Sequence, residues 1–282
     1  MDTFKIKLVL ASVRCKSFSR AAEEFSYTPS ALSHTVGAFE DSLGVKIFKR
    51  SSTGVELTAE GEVLMPLFRS LLDSERELLE VAGAMANKQR QKLRIASYSS
   101  ISRNYLTALV KEFKKCEPDI DLSINVVDDL RGWLEEGRAD IVFADRRILS
   151  GCSFEPIMED TYFVIAPPDW FSDRTSIDLS ELYEYPYIDA NVIHDDGAYD
   201  PTKFKERISF RSEDDLSVIN MVREGMGVTI LPELVLKKNL DGVSVMSLEP
   251  KITRTLGFAA KKHKNSSVAL AKFISFMKKY QS

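Results

Sequence analysis

His34, His194 and His263 are the three histidines of this 282-residue chain and its first candidates for acid–base or metal chemistry. None stands at metal-ligand spacing from another. His194 opens a His-Asp-Asp run inside DANVIHDDGAYDPTKFK, an unpatterned polar stretch that reads as a solvated surface loop. No Gly-rich phosphate loop or Gly-x-Ser-x-Gly elbow occurs. An enzyme reading therefore finds no reactive constellation, and no metal or cofactor is implied. Recognition chemistry is better supported. Thr28, Pro29, Ser30, Ser33 and His34 lie in SYTPSALSHTVGAF, a stretch without an acidic residue. Small hydrogen-bonding side chains free of negative charge suit the approach to a polyanion.

Flanking helices must hold those residues. Phe4, Leu8 and Ala11 are expected on one face of a helix over residues 4–14. Ser19 is the expected N-cap of RAAEEF, whose Ala pair permits close helix approach. Thr28 caps the next helix, with Pro29 at its first position, where a missing N–H costs nothing. Ala31, Leu32, Thr35, Val36 and Phe39 are expected to face inward; Ser30, Ser33, His34 and Gly37 face largely outward. VKIFKRSSTGVELT then predicts a small β-hairpin around its Ser-Thr-Gly tip. From Thr58 a helix of about thirty residues is expected, against a mean of ~11–12. Leu64, Leu67, Leu71, Leu78 and Val81 give it an apolar stripe, suited to a second copy of the same helix or to the chain's own domains. Pro66 should kink or interrupt it.

Beyond Leu93 the chain alternates strand-like KLRIASY, DLSINVVD and RADIVFAD with helix-like SRNYLTALVKEFKKC and DLRGWLEEG. Such alternation predicts α/β layers with parallel strands. DTYFVIAPP, YPYIDA, RISFR, DDLSVINMVREG and GVTILP form a second set, closed by TRTLGFAAKK and SSVALAKFISFMKKY. No apolar run approaches the ~20 residues of a membrane span, and Leu8 to Val13 is too short for a signal peptide's apolar region. Cys15, Cys116 and Cys152 are isolated and odd in number, which predicts reduced thiols in the cytoplasm, a Cys116–Cys152 redox pair being the alternative. The net charge of −4 is unevenly placed, with eight basic and five acidic residues among the first fifty. A positive module on an acidic body is compatible with local contact to nucleic acid.

SFSRAAEEFSYTPSALSHTVGAFEDSLGVKIFKR, followed by VELTAEG, resembles the winged helix-turn-helix of LysR-type transcriptional regulators. MVREGMGVTILP is similar to a recurrent motif of that family's effector domain. The resemblance implies an α/β chain with a helix-rich N-terminal winged helix-turn-helix at residues 1–58, a linker and dimerisation helix at 59–92, and a two-lobed, periplasmic-binding-protein-like domain at 93–282. Its lobes would comprise 93–161 with 265–282, and 162–264. Double-stranded DNA, a small-molecule effector and a second copy of the chain, in a homodimer or tetramer, are the implied partners, with no membrane among them. Thr28 to Phe39 matches the recognition helix. Ser33 and His34 would reach base edges, while Ser30 and the wing's Arg50 would meet phosphates. A glutamine common near the helix start in the family is replaced by Thr28-Pro29-Ser30, and two wing positions that are often basic hold Thr53 and Glu56.

The same resemblance points to Ser99, Ser100, Asp145 and Asn191 as effector-binding residues. Ser99 and Ser100 would hold an anionic or polar group at a helix start, or serve only as its cap. Asp145 would favour an amine or hydroxyls, or pair with Arg146 or Arg147; Arg146 and the helix start would favour a carboxylate. Two rivals stand beside this reading. A transport solute-binding protein conflicts with the fused N-terminal helices. A dimeric ligand-binding or interaction adaptor without specific DNA binding differs from a regulator in how it treats DNA.

Overall fold

The computed structural model describes residues 2–51, 54–85, 91–171, 174–190, 201–204, 206–237, 240–260 and 267–280. The chain begins with α1 (Thr3–Cys15), α2 (Phe18–Glu24) and α3 (Pro29–Leu43), followed by the antiparallel hairpin of β1 (Phe48–Ser51) and β2 (Gly54–Leu57). Ile6, Val9, Ala21, Ala22, Leu32, Val36, Phe39 and Ile47 form its core. Phe4, expected on the buried face, is 38% exposed at the open end of α1, edge-on to Phe25 with centroids 5.8 Å apart. Ser17, not Ser19, caps α2 by accepting the Arg20 N–H. Helix begins that early because Phe18 packs edge-on against Phe48 of the hairpin, at 5.3 Å. Ala31, also expected inside, is exposed.

The long helix α4 (Ala59–Met85) runs unbroken through Pro66. Its buried stripe is Met65, Phe68 and Leu72, which join the core of the first three helices; Phe68 meets Phe39 at 5.7 Å. Of the expected stripe, Leu67, Leu78 and Val81 lie exposed, and Val63 and Leu79 are exposed as well; Leu78 is 68% accessible. One face of α4 thus belongs to the head and another is uncovered.

The body comprises β3 (Lys92–Ser97), α5 (Ser99–Ile101), α6 (Thr107–Cys116), β4 (Asp121–Val126), α7 (Leu130–Glu135), β5 (Ile141–Asp145) and β6 (Phe154–Ala166). It continues through β7 (Ser176–Asp178), α8 (Leu179–Leu182), β8 (Tyr187–Asp189), β9 (Ile208–Arg211), α9 (Asp215–Arg223), β10 (Thr229–Pro232), α10 (Glu233–Leu236), β11 (Ser244–Glu249), β12 (Thr253–Ala260) and α11 (Val268–Tyr280). A π-helical stretch, Ser102–Leu106, joins α5 to α6, so the expected single helix carries a bulge. Strands β4, β3 and β5 pair in parallel, and β12 closes against β5 in antiparallel sense. Strand β6 belongs to both lobes: its first half pairs with β12 and its second with β10 and β11. Ile141 and Phe143 of β5 enter one core and Val142 and Ala144 the opposite one, which is why that strand reads as an unbroken apolar run. In the second lobe, Tyr162, Val164, Phe204, Ile230 and Met246 fill one side of the sheet, and Ile165, Val218, Val222 and Leu231 the other.

Candidate functional site

Helix α3 is built to be held from one side. The Thr28 hydroxyl accepts the Ala31 N–H at 3.2 Å, and Gly44 ends the helix in the left-handed region at φ 69°, where a Cβ is disfavoured. Leu32, Val36 and Phe39 are buried. Thr28, Pro29, Ser30 and His34 are exposed, and Ser33 is half-buried. From Phe25 to Phe39 the chain holds no Asp, Glu, Lys or Arg. Glu40, a positioning residue that sequence reasoning passed over, fixes the hairpin to the end of α3. Its buried carboxylate accepts the N–H groups of Ile47 and Phe48 at 2.8 and 2.9 Å and meets Lys46 at 3.2 Å. Thr58 and Gly61 complete the joint. The Thr58 hydroxyl donates to the Lys46 carbonyl at 2.7 Å, and a Cβ at Gly61 would fall 2.3 Å from the Ile47 carbonyl oxygen.

In the hairpin, the Arg50 backbone pairs with Val55; its side chain and all of Thr53 lie outside the described residues. Glu56 faces Lys49 across the strands at 3.3 Å, cancelling a positive charge that the wing would otherwise present.

The second site is a cleft of about 410 Å³ between the lobes. Parallel strands end at one edge of a sheet, and ligands gather there. Tyr98, Ser99 and Ser100 follow β3, Asp128 follows β4, and Asp145 ends β5. Across the cleft, Ala190 follows β8 and Glu213 follows β9, with Asp215 at the start of α9; Arg254 lies on β12. The structure thus brings Ser99, Ser100 and Asp145 together. Asn191 and His194 lie outside the described residues, as does His263.

Asp145 is 3% exposed and committed to Arg147, not Arg146. It accepts the Arg147 N–H and Nε at 2.8 and 3.0 Å on Oδ1, and Nη2 at 2.9 Å on Oδ2. Burial alone would raise its carboxyl, but the Arg147 side chain and N–H outweigh that and hold it below the ordinary 3.8. Arg146 instead lies over the Phe154 ring, 4.8 Å from its centroid. The Tyr98 phenol is pushed up to about 12 by burial and the nearby Asp145, so it stays protonated at neutral pH. Burial also raises the Asp215 carboxyl, opposed by Arg103, whose guanidinium reaches it from the other lobe at 3.4 Å. Sequence reasoning missed Tyr98, Asp128, Glu213, Asp215 and Arg254. Ser99, assigned through the family resemblance, follows β3 as Asp128 follows β4.

Head and body also touch directly. Arg14 of α1 donates to Glu136, just past α7, at 2.7 Å and pairs with Glu24. Arg69 of α4 reaches Glu135 at 3.2 Å. Helix α7 therefore has one end at the cleft, behind Asp128, and the other against the head. Burial pushes the thiols of Cys15 and Cys152 up, the opposite of what a reactive thiolate requires. Among the described residues no helix is long and apolar enough to cross a membrane.

Comparison with known proteins agrees with this geometry. Residues 5–62 match the family of bacterial regulatory helix-turn-helix proteins of the lysR family, and residues 86–282 match the LysR substrate binding domain. A probable HTH-type transcriptional regulator of Synechococcus elongatus, LrrA, is 25% identical over 265 residues, covering 92% of this chain and 90% of its own. The HTH-type transcriptional regulator MetR of Escherichia coli is 28% identical over 242 residues, covering 82% and 75%. Among solved structures, a full-length cysteine variant of OxyR from Pseudomonas aeruginosa superposes with a TM-score of 0.61 at 22% identity, covering 99% of this chain and 97% of that one. Full-length CbnR complexed with its target DNA gives 0.59 at 17% identity, with both chains covered completely.

Proposed function

Because the chain belongs to the LysR family of bacterial helix-turn-helix regulators, we propose that it controls transcription by inserting α3 into a DNA groove in response to a small molecule held between its lobes. The observation that carries this reading is the exposed face of α3, free of acid and backed by a complete core. Ser33 and His34 contact base edges, Ser30 and Arg50 contact phosphates, and Thr28 with Pro29 sets the helix start so that its positive end faces the backbone. No base-reading glutamine precedes Ser30, so readout rests on short contacts from Ser33 and His34.

Two copies joined along the uncovered face of α4 would present two α3 helices to related half-sites. Val63, Leu67, Leu78 and Val81 support that association. The head comprises residues 1–58 and the linker 59–92. The first lobe comprises 93–161 with 265–282, and the second 162–264. The protein acts in the cytoplasm as a regulator and not as a catalyst. Ligand entry shifts the balance between two poses of the lobes, and α7 transmits the change through Glu135 and Glu136 to Arg69 and Arg14.

Retardation of DNA from upstream of the protein's own gene, at 50 and 200 mM salt, tests the proposal. With six or more phosphate contacts, affinity should fall by about 10³ or more between those concentrations, and unrelated DNA should compete poorly. Equal retention of any DNA, or none, would favour the adaptor.

A further inference from the structure

The charge of the cleft goes further, on the premise just proposed that the cleft is the ligand site. Among the described residues, its lining sets four carboxylates, Asp128, Asp145, Glu213 and Asp215, against a single guanidinium, Arg254. That guanidinium is already committed: its Nε and Nη2 donate to Asp160 Oδ2 at 2.9 and 2.8 Å. Asp145 is taken by Arg147 and Asp215 by Arg103. Asp128 and Glu213 have no side-chain hydrogen bond or ion pair among the described residues. Each lobe therefore contributes one uncommitted negative charge to the same cavity.

Ser100 points to a ligand independently of the acids. It is 5% exposed, it lines the cleft, and its hydroxyl has no partner among the described residues. That hydroxyl is open to the cavity and is spoken for by no protein group among the described residues, so a polar atom entering the cleft can pair with it. Tyr98 adds an aromatic ring to the lining, and aromatic faces attract cations. A carboxylate ligand would have to approach the uncommitted Asp128 and Glu213, while the guanidinium among the described lining residues faces Asp160. The reasons for expecting such a ligand also weaken, because Arg146 lies over Phe154 and does not line the cleft.

We infer that the cleft takes a small organic cation, a primary amine or guanidine held between Asp128 and Glu213, with the Ser100 hydroxyl accepting a hydrogen bond from it. Attraction to a carboxylate on each lobe also explains how such a ligand would draw the lobes together.

Thermal melting and calorimetric titration of the full chain test the inference with 1,4-diaminobutane and agmatine as cationic probes and succinate and glutarate as anionic controls. The amines should raise the melting temperature by about 3 °C or more at a hundredfold excess over Kd; the dicarboxylates should not. Asp128→Asn and Glu213→Gln should each weaken amine binding about tenfold or more. Raising the salt to 1 M, where screening acts within ~3 Å, should weaken it as well. Stabilisation by the dicarboxylates alone, no response to either amine, or unchanged amine binding in both variants would overturn the assignment. DNA retardation by the wild-type chain without any probe reads the regulator separately. Retention with a carboxylate preference removes the cation and keeps the regulator. Amine binding without retention supports the cation and removes the regulator.

Discussion

Helix α3 and the interlobe cleft reach their functions by opposite routes. The candidate contacts of α3 fall between Thr28 and His34, on one exposed and uncharged helical turn and a half, which needs only to be held from behind. The cleft is charged and recessed, and it is assembled from segments around Tyr98, Asp128, Asp145, Glu213 and Arg254. Its lining survives only if buried ion pairs hold separate strand ends in place. The contrast implies that function and stability separate cleanly in α3 and poorly in the cleft. A surface residue of α3 can be removed at the expense of binding alone, whereas removing a support of the cleft costs the fold.

The largest effect should come from the pair beneath the cleft. Asp160 and Arg254 are 3% and 7% exposed, and Asp160 also accepts the Leu234 N–H at the start of α10, at 3.0 Å. Arg254→Met leaves that carboxylate buried without its cation and should cost about 3–5 kcal/mol, read as a lower urea midpoint at unchanged m-value. A loss below about 1 kcal/mol would erase the asserted difference between the regions. Glu40→Ala is the matching experiment in the head. It strips the partners from two hairpin N–H groups and should cost about 1–3 kcal/mol. DNA affinity should fall with it, because the wing is no longer fixed to α3. His34→Ala should then sharpen the comparison, weakening specific DNA binding by about 1–3 kcal/mol and moving stability by less than about 0.5 kcal/mol. A large drop in melting temperature in that variant would mean that α3 is less independent of its core than its exposure implies.

The same contrast governs how much could be read before the structure. The α3 signals are local: Thr28, Pro29 and Gly44 act on backbone groups within one turn, so residue type and spacing suffice to find the helix and its outer face. Local signals failed where two residues offered the same chemistry. Ser17 and Ser19 are both competent caps, and only the distant Phe48, against which Phe18 packs, decides between them. In α4 the periodicity announced a long amphipathic helix. It could not say which apolar residues meet the head, because Leu64, Met65, Leu67 and Phe68 are all suitable and only the neighbours choose. Ser99, Ser100 and Asp145 were legible through the family resemblance, and they do line the cleft. Glu213 and Asp215 were not, since their position depends on β9 lying parallel to β8, a pairing between segments separated by sequence without a clear pattern. Strand β6 was half hidden, because its first residues serve one lobe and its last residues another.

The smallest predicted effect concerns Asp145, which lines the cleft yet is already neutralised. Its carboxyl sits below the ordinary value because contacts with Arg147 outweigh the burial that would raise it. A carboxylate with a depressed folded value stabilises the protein above its unfolded value, and that stabilisation is lost as pH falls through the folded one. The window for Asp145 therefore lies below about pH 4, and nothing in its titration should alter the protein near neutrality. Asp145→Asn should flatten the acid limb of the stability curve and cost about 1 kcal/mol at pH 7, since Arg147 keeps the amide oxygen as a partner but loses the charge. Amine binding in the cleft should persist, because the negative charge removed was one that Arg147 had already cancelled, while Asp128 and Glu213 remain. If Asp145→Asn abolished amine binding as fully as Asp128→Asn, then Asp145 would be the residue that meets the ligand, and Arg147 would have to release it when the cleft fills.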